Sequence, residues 1–267
     1  MIALNEIVRQ YPKELQRPEY YDPMVKEYLH HYMLQSVFSG KFAEKISFLG
    51  GTALRYFYGI KRFSEDLDFD CFNFKREQFL EMTSKVEYDL RLSGYDVIIQ
   101  DRMKDQDIKA FRRVLVFPEL RYKLGLSQQK ESKFFIKIEA EPHHFDYQPD
   151  IKTLIGFGIV TTVRIVPLDI LFSTKIAAAI KRKKDRDFYD VVTLIDFATP
   201  DFRYLDAKCH ISNPSQLKTS LLNAAKAKNL ADRQKFDCEH MLFDKKDILK
   251  IRAFSEYIEA FDFRRFD

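Results

Sequence analysis

The chain has 267 residues, enough for one large domain or two small ones, and 46% of them are hydrophobic, which excludes wholesale disorder. The net charge of +4 is too small to argue for nucleic-acid binding without local clustering. Three scattered cysteines, Cys71, Cys209 and Cys238, argue for a reducing compartment rather than a disulfide framework.

No apolar run approaches the roughly 18 residues of a membrane span. The start carries no basic-then-apolar secretory pattern. A soluble cytoplasmic protein with no membrane partner is expected. Phe (25 residues) is expected to fill most of the core.

In chain order, residues 1–20 read as a short amphipathic helix broken around Pro18. Residues 23–38 place apolar and aromatic side chains at helical spacing, with Pro23 in a first turn. Residues 46–72 predict strand, glycine turn, helix and strand. Residues 75–93 predict a helix with one buried face, stopped by Gly94. Strands are expected at 95–100 and 111–117, joined by the polar linker 101–109, and a polar connection follows at 118–132. Residues 133–141 alternate, with Phe135, Lys137, Glu139 and Glu141 on one face and Ile136, Ile138 and Ala140 on the other. The stretch 142–150 reads as a loop and 163–167 as a last strand. Helices are expected at 168–182, 187–198, 213–227 and 246–262. A mixed α/β part over 1–160 is therefore followed by a mainly helical part over 161–267.

The informative stretch of the first part runs from Phe48 to Phe72. Residues two apart on a strand point the same way, about 6.5–7 Å apart, so Asp66, Asp68 and Asp70 share a face while Leu67 and Phe69 face the core. Like charges so close require solvent or a cation between them. Carboxylates suit Mg²⁺ (or Mn²⁺), which completes its shell with substrate phosphates and water. Upstream, Gly50 and Gly51 would let backbone N–H groups approach a triphosphate, and Thr52 adds a hydroxyl at a helix N-terminus. A solvated edge strand beside an ordinary glycine turn is the plainer alternative.

In the second part, Leu168, Leu171, Phe172, Ala179 and Ile180 form an apolar helical stripe that includes Lys175. A lysine on a buried face costs energy unless it snorkels or meets an anion. Arg182 lies two turns on, and the two could hold a triphosphate. Asp187 and Asp190 share a face of the next helix, where Asp187 could equally be a cap.

The string GGT, thirteen residues, then Asp66-Leu67-Asp68 resembles the first motif of the polymerase-β-like nucleotidyltransferase superfamily. The fuller wording looks like the AbiEii-type toxin branch, whose Arg-x-Ser-x-Asp-hydrophobic-Asp string is matched by Arg62, Ser64, Asp66 and Asp68. Lys175, Ala178 and Arg182 match that family's Lys–Ala–Arg motif, and Arg186, Asp187 and Asp190 its Arg-Asp-x-x-Asp motif.

The resemblance covers about residues 46–195. It implies an α+β fold, a polymerase-β-like mixed-sheet core with a helical C-terminal domain, and an active site in the cleft between them. It implies a third carboxylate on a later strand, where Glu139 fits, with Lys137 beside it and Glu141 as competitor. Asp66, Asp68 and Glu139 would hold the metal. Gly50, Gly51, Thr52, Arg62, Ser64, Lys137 and Arg182 would bind nucleotide, and Lys175 would contact its phosphates. Asp187 would be a general base or a site-orienting group. The roles of Asp70 and Asp190 stay open. The implied activity is Mg²⁺-dependent transfer of a nucleoside monophosphate from an NTP to RNA, such as a tRNA end. The enzyme would be the toxin of a two-gene system with a separate antitoxin.

Two other readings stand beside it: a nucleotidyltransferase acting on small molecules of the antibiotic kind, and a nucleotide-binding module without turnover. Weaker signals are discounted. His143, His144 and Asp146 read as a solvated loop rather than a metal site, and Cys209-His210 with Cys238 and His240 fit no zinc spacing. His30 and His31 read as helix surface. Lys181 to Lys184 with Arg186 form a basic patch equally suited to RNA or to solvent. Phe188 and Tyr189 are expected to pack a helix pair.

Overall fold

The computed structural model describes residues 2–100 and 110–267, so the linker expected at 101–109 lies outside the described residues. The chain forms two compact units, one of Met1–Gly59 with Phe63–Val166, the other of Ile60–Arg62 with Pro167–Asp267.

The first unit opens with α1 (Leu4–Val8) and α2 (Tyr21–Phe38), separated by two short 3₁₀ turns rather than one continuous helix. Then come β1 (Ile46–Leu49), α3 (Gly50–Tyr58), β2 (Asp66–Cys71) and α4 (Arg76–Leu92). The rest is β3 (Ile98–Gln100), β4 (Phe111–Phe117), the one-turn α5 (Leu120–Lys123), β5 (Phe134–Glu141), β6 (Asp150–Gly156) and β7 (Ile159–Ile165). The seven strands form one mixed sheet in the order β3-β4-β5-β2-β1-β7-β6. β2 runs antiparallel to β1 and parallel to β5, and β7 runs parallel to β1.

β1 sits inside the sheet with all four residues buried, which explains its unbroken apolar run. Its Phe48 pairs in register with Phe69 of β2, the two rings 5.6 Å apart, and Phe69 also meets Phe38 of α2. The alternating aspartates of β2 therefore face away from α2. β5 alternates as its sequence predicts, with Phe134, Ile136, Ile138 and Ala140 buried. Gly94 follows α4 with φ +83°, a left-handed stop that favours glycine.

In this unit a hairpin and two histidines depart from the expectations. The β6–β7 hairpin replaces the loop end and the short last strand, and β7 runs across residue 160 to Ile165. His30 and His31 are buried rather than on a helix surface. His30 Nδ1 lies 2.9 Å from the Tyr56 hydroxyl, and His31 Nδ1 lies 2.7 Å from the Glu27 carbonyl. Burial lowers their pKa values to about 3 and about 4, so both rings stay neutral.

The second unit is helical: α6 (Leu168–Lys181), α7 (Asp185–Leu194), α8 (Phe202–Cys209), α9 (Pro214–Lys228), α10 (Ile248–Arg252) and α11 (Phe254–Ala260). α6 packs on α7, α8 and α9, and α7 also meets α10 and α11. Phe188 packs edge-on against Phe254, as expected of a helix-pair aromatic. Asp201 caps α8 and Asn213 caps α9, the latter followed by Pro214 at the first helical position. The helix expected over 246–262 breaks at Ala253, whose backbone (φ −85°, ψ 20°) leaves the helical region. Ile60–Arg62 joins this unit through a bridge between Arg62 and Leu242 and a bond from the Phe243 N–H to the Lys61 carbonyl (3.1 Å).

Candidate functional site

The turn between β1 and α3 shapes the first unit's carboxylate face. Gly50 has φ +84°, and a Cβ placed there would lie 2.5 Å from Asp68 Oδ2, closer than real side chains come. Glycine is needed twice over, for the left-handed backbone and for room at the carboxylate. Gly51 is buried in the first turn of α3. No side chain caps that turn, and the first N–H groups of a helix have no partner within it.

Thr52 does a different job from the one its sequence position suggests. Its side chain is buried, and its hydroxyl donates to the Asp66 carbonyl at 2.6 Å. That bond fastens the start of α3 to the start of β2. The hydroxyl acts on the strand instead of facing outward to a triphosphate.

Asp66 and Asp68 alternate with the buried Leu67 and Phe69 and are half-exposed on the open face. In the parallel register Asp66 stands beside Lys137, and Asp68 beside Glu139. Lys137 Nζ lies 3.0 Å from Asp66 Oδ2 and 3.2 Å from Glu139 Oε1. Burial tends to lower the Lys137 pKa, but Asp66 and then Glu139 outweigh it, so the ammonium is held above its ordinary value. Arg112 of β4, in register with Glu139, pairs with the same oxygen, Glu139 Oε1. Arg112 is absent from the set expected from sequence. The available signal is the arginine pair Arg112-Arg113 inside an otherwise apolar strand.

Among the described residues, no three His, Cys, Asp or Glu side chains are gathered so as to hold a metal ion. Glu139 is paired with Lys137 and Arg112, both on its Oε1. Asp66 and Asp68 alone still fit a hard divalent ion, which takes one or two carboxylates and completes its shell with phosphates and water. The space that Gly50 leaves at Asp68 is consistent with that fit.

Asp70, the third member of the alternating run, is buried. It accepts from the His143 N–H at 2.9 Å and from the Tyr147 hydroxyl at 2.7 Å. Its role is to latch the 142–149 segment to β2. Burial and then the Asp70 charge push the Tyr147 phenol well above its ordinary range, so it stays protonated and donating. Glu141, in register with Asp70, is exposed. Ser64 is half-buried just before β2.

The second unit carries the other expected residues. Arg62 is 1% exposed and grips Asp190 with two bonds of 2.7 Å, Nε to Oδ1 and NH2 to Oδ2. Lys175, on the buried face of α6, reaches Asp190 Oδ2 at 2.9 Å. The lysine on an apolar stripe has met an anion, as its position required. Burial favours the neutral acid of Asp190, yet Arg62 and Lys175 outweigh it and hold the pKa down to about 2.

Arg182, at the end of α6, holds the buried Asp187 with bonds of 2.8 and 2.6 Å, while its own side chain is 46% exposed. Asp187 lies within the first turn of α7, whose N-cap is Lys184. Its carboxylate steers Arg182, which suits an orienting role. Asp185 is a further buried carboxylate of that turn, accepting from the Asp237 N–H at 2.7 Å with Lys228 and Arg233 nearby. Its partners come from a segment in which the sequence shows no recognisable pattern.

Comparison with known proteins bears on the fold and the family. The chain shares its fold with MenT4, a nucleotidyltransferase toxin from Mycobacterium tuberculosis H37Rv, at a TM-score of 0.62 and 17% identity, covering 100% of this chain and 93% of that one. It is similar also to JHP933 from Helicobacter pylori, at a TM-score of 0.53 and 17% identity, over 91% of this chain and 93% of the other. No curated protein sequence gives a significant match. The profile of the family described as "Nucleotidyl transferase AbiEii toxin, Type IV TA system" matches residues 33–260, most of both units. The chain therefore belongs to the AbiEii family of nucleotidyltransferase toxins of type IV toxin–antitoxin systems.

Proposed function

We propose that this enzyme transfers a nucleoside monophosphate from an NTP to RNA, with a tRNA end as acceptor, and that Mg²⁺ is its metal. The observation that carries this reading is the approach of Gly50 to Asp68, which sets the N-terminus of α3, uncapped by any side chain, beside that carboxylate of β2. The first-turn N–H groups at Gly50 and Gly51 bind the phosphates. Asp66 and Asp68 hold the divalent ion, which when bound neutralises charge on the triphosphate and on the leaving pyrophosphate. The acceptor hydroxyl attacks the α-phosphorus, the bond to the pyrophosphate breaks, and the hydroxyl proton passes to solvent water. Thr52 keeps Asp66 in place through the backbone of β2. Arg182, aimed by Asp187 and half-exposed, offers a cation to phosphate. Lys175 and Arg62 keep Asp190 ionised and so brace α6 against α7.

Among the described residues no helix is long and apolar enough to cross a membrane. We place the activity in the cytoplasm, where NTPs and tRNA are found, and expect an antitoxin encoded beside it, as the family implies. The test uses purified wild type and Asp68→Ala with each labelled NTP, total tRNA and Mg²⁺, alongside a panel of aminoglycosides. The expected result is label in RNA with wild type only, and growth arrest on expression that Asp68→Ala abolishes. Label in a small molecule instead would overturn the acceptor assignment. Equal toxicity of both proteins would overturn the mechanism.

A further inference from the structure

We propose that β6 is the docking strand for a second copy of this chain: two copies pair antiparallel, edge to edge and centred on Thr153, and join their sheets into one.

β6 ends the strand order, so among the described residues only β7 pairs with it. The hairpin turn decides which of its groups face the open edge. Phe157 and Gly158, at φ +54° and +76°, form a two-residue turn with left-handed backbone at both central positions, closed by Gly156 and Ile159 as a hydrogen-bonded pair. The ladder alternates from there, so Leu154, Lys152 and Asp150 bond to β7. The N–H and C=O groups of Ile151, Thr153 and Ile155 point the other way, and among the described residues they meet no other backbone.

Edge strands are ordinarily blunted by proline, a bulge, a short length or a charge. β6 has seven residues in unbroken register and no proline. Its lysine, Lys152, is turned to the opposite face, with the ammonium 5.0 Å over the Tyr58 ring. On the open face stand Ile151 and Ile155, 59% and 73% exposed, and Val160 of β7 beside Ile155.

Self-complementarity identifies the occupant. In a two-fold pair every contact recurs in reverse. With Thr153 opposite Thr153 of the second copy, Ile151 falls opposite Ile155, and all three outward residues become hydrogen-bonded pairs. Centring the axis on Ile151 or Ile155 would keep fewer such pairs within the strand. The isoleucines of both copies, flanked by Val160, then form one apolar cluster. No like charges are opposed, because Lys152 falls opposite Leu154 and Asp150 opposite Gly156. The outward residues share a sheet face with Asp66 and Asp68, through the registers of Ile151 with Arg164 and of Ser47 with Asp70. The pair therefore presents both carboxylate faces on one side of a continuous sheet. A single strand pairing covers less than the roughly 800 Å² per partner of a standard interface, so a dissociation constant in the micromolar range is expected.

Sedimentation equilibrium of the full chain, from low to several hundred micromolar, reads the association. Wild type should pass from monomer to dimer. Ile155→Glu, which spoils two cross-strand pairs, should weaken the dimer about tenfold or more. Thr153→Pro should do the same, since it removes an N–H that the monomer does not use. The double variant Ile151→Lys/Ile155→Glu should bind more tightly than Ile155→Glu alone, because opposite charges then meet across the axis. Thermal unfolding reports whether each variant is folded, and should Thr153→Pro fail to fold, the other variants still decide.

Cross-linking reads the register. Opposed residues of a hydrogen-bonded pair have Cα atoms about 5.5 Å apart, within reach of a disulfide. Cys71 and Cys238 are buried, so Cys209→Ser provides the background. There Thr153→Cys should give a disulfide-linked dimer on mild oxidation, and Thr162→Cys, one strand further in, should not. A wild type that stays monomeric throughout overturns the proposal. So does a dimer that Ile155→Glu leaves intact, a double variant no tighter than Ile155→Glu, or cross-linking through Thr162→Cys but not Thr153→Cys.

Discussion

Replacing Gly50 with alanine adds one methyl group at the most constrained point of the first unit. Two costs follow, and they can be separated. The backbone cost comes from φ +84°, where a Cβ is disfavoured by roughly 1–2 kcal/mol. The steric cost comes from Asp68 Oδ2, 2.5 Å from the new carbon. Ordinary contact between such atoms begins near ~3.4 Å, so the carboxylate must move by close to ~1 Å. A misplacement of about 1 Å at a reacting centre costs on the order of 10²-fold in rate.

Gly59 supplies the control. It too is left-handed, at φ +71°, but its Cβ would meet nothing within 4 Å. Gly59→Ala should therefore pay only the backbone term. Initial rates of labelled nucleotide transfer, with thermal unfolding on the same samples, give the comparison. Both variants should lose stability, Gly50→Ala by more because of the added contact, and only Gly50→Ala should lose about 10²-fold in rate. A Gly50→Ala enzyme at wild-type rate, or a Gly59→Ala enzyme equally impaired, would refute the assignment of Gly50 as the residue that makes room for Asp68.

Removing Asp190 leaves Arg62 and Lys175 as buried cations without their anion, and breaking such a group costs about 3–5 kcal/mol. Asp190→Ala should show this in chemical denaturation of the second unit, and a loss under 1 kcal/mol would argue against a closed triad. Acid should reproduce part of the effect. The folded pKa of Asp190 lies below its unfolded value, so its contribution is complete above pH ~4 and fades as pH falls toward about 2. The amount is on the order of 2–3 kcal/mol, and Asp190→Asn should flatten that part of the stability–pH curve. Tyr147→Phe deletes a donor to the buried Asp70, costing about 1.5–3 kcal/mol, and should speed amide exchange over 142–149 relative to β2. Unchanged exchange there would mean that the His143 bond alone holds the segment.

What could be read from the residues was whatever depends on local pattern. Ile46–Leu49, the glycine pair and the alternation of Asp66 to Asp70 specify strand, turn and strand because each obeys a rule within a few residues. The β6–β7 hairpin is not legible in the sequence although Gly158 sits in its two-residue turn, just after Gly156 at the end of β6. Its outer face carries the exposed Ile151, Ile155 and Val160, which blur the alternation of apolar and polar that marks a half-buried strand. Lys175 shows the limit from another side. Its position on an apolar stripe demanded an anion, but nothing nearby in sequence named Asp190. Arg62 was grouped with the nucleotide by its neighbours in the motif, whereas its guanidinium is committed to a residue 128 positions away. Distant pairing of that kind leaves no trace in a single sequence.

The membership of Ile60–Arg62 in the second unit has a consequence for synthesis of the chain. Arg62 leaves the ribosome long before Asp190 exists, and until α7 is made its guanidinium has no buried partner. The second unit thus cannot close its core cotranslationally from its own contiguous sequence alone. It must capture a short segment made more than 100 residues earlier. A fragment starting at Pro167 would carry Asp190 with Lys175 but without Arg62, and a fragment ending at Val166 would leave Arg62 unmatched. Limited proteolysis or split expression at that junction would for this reason yield pieces that assemble only together, and a nick there need not inactivate the protein.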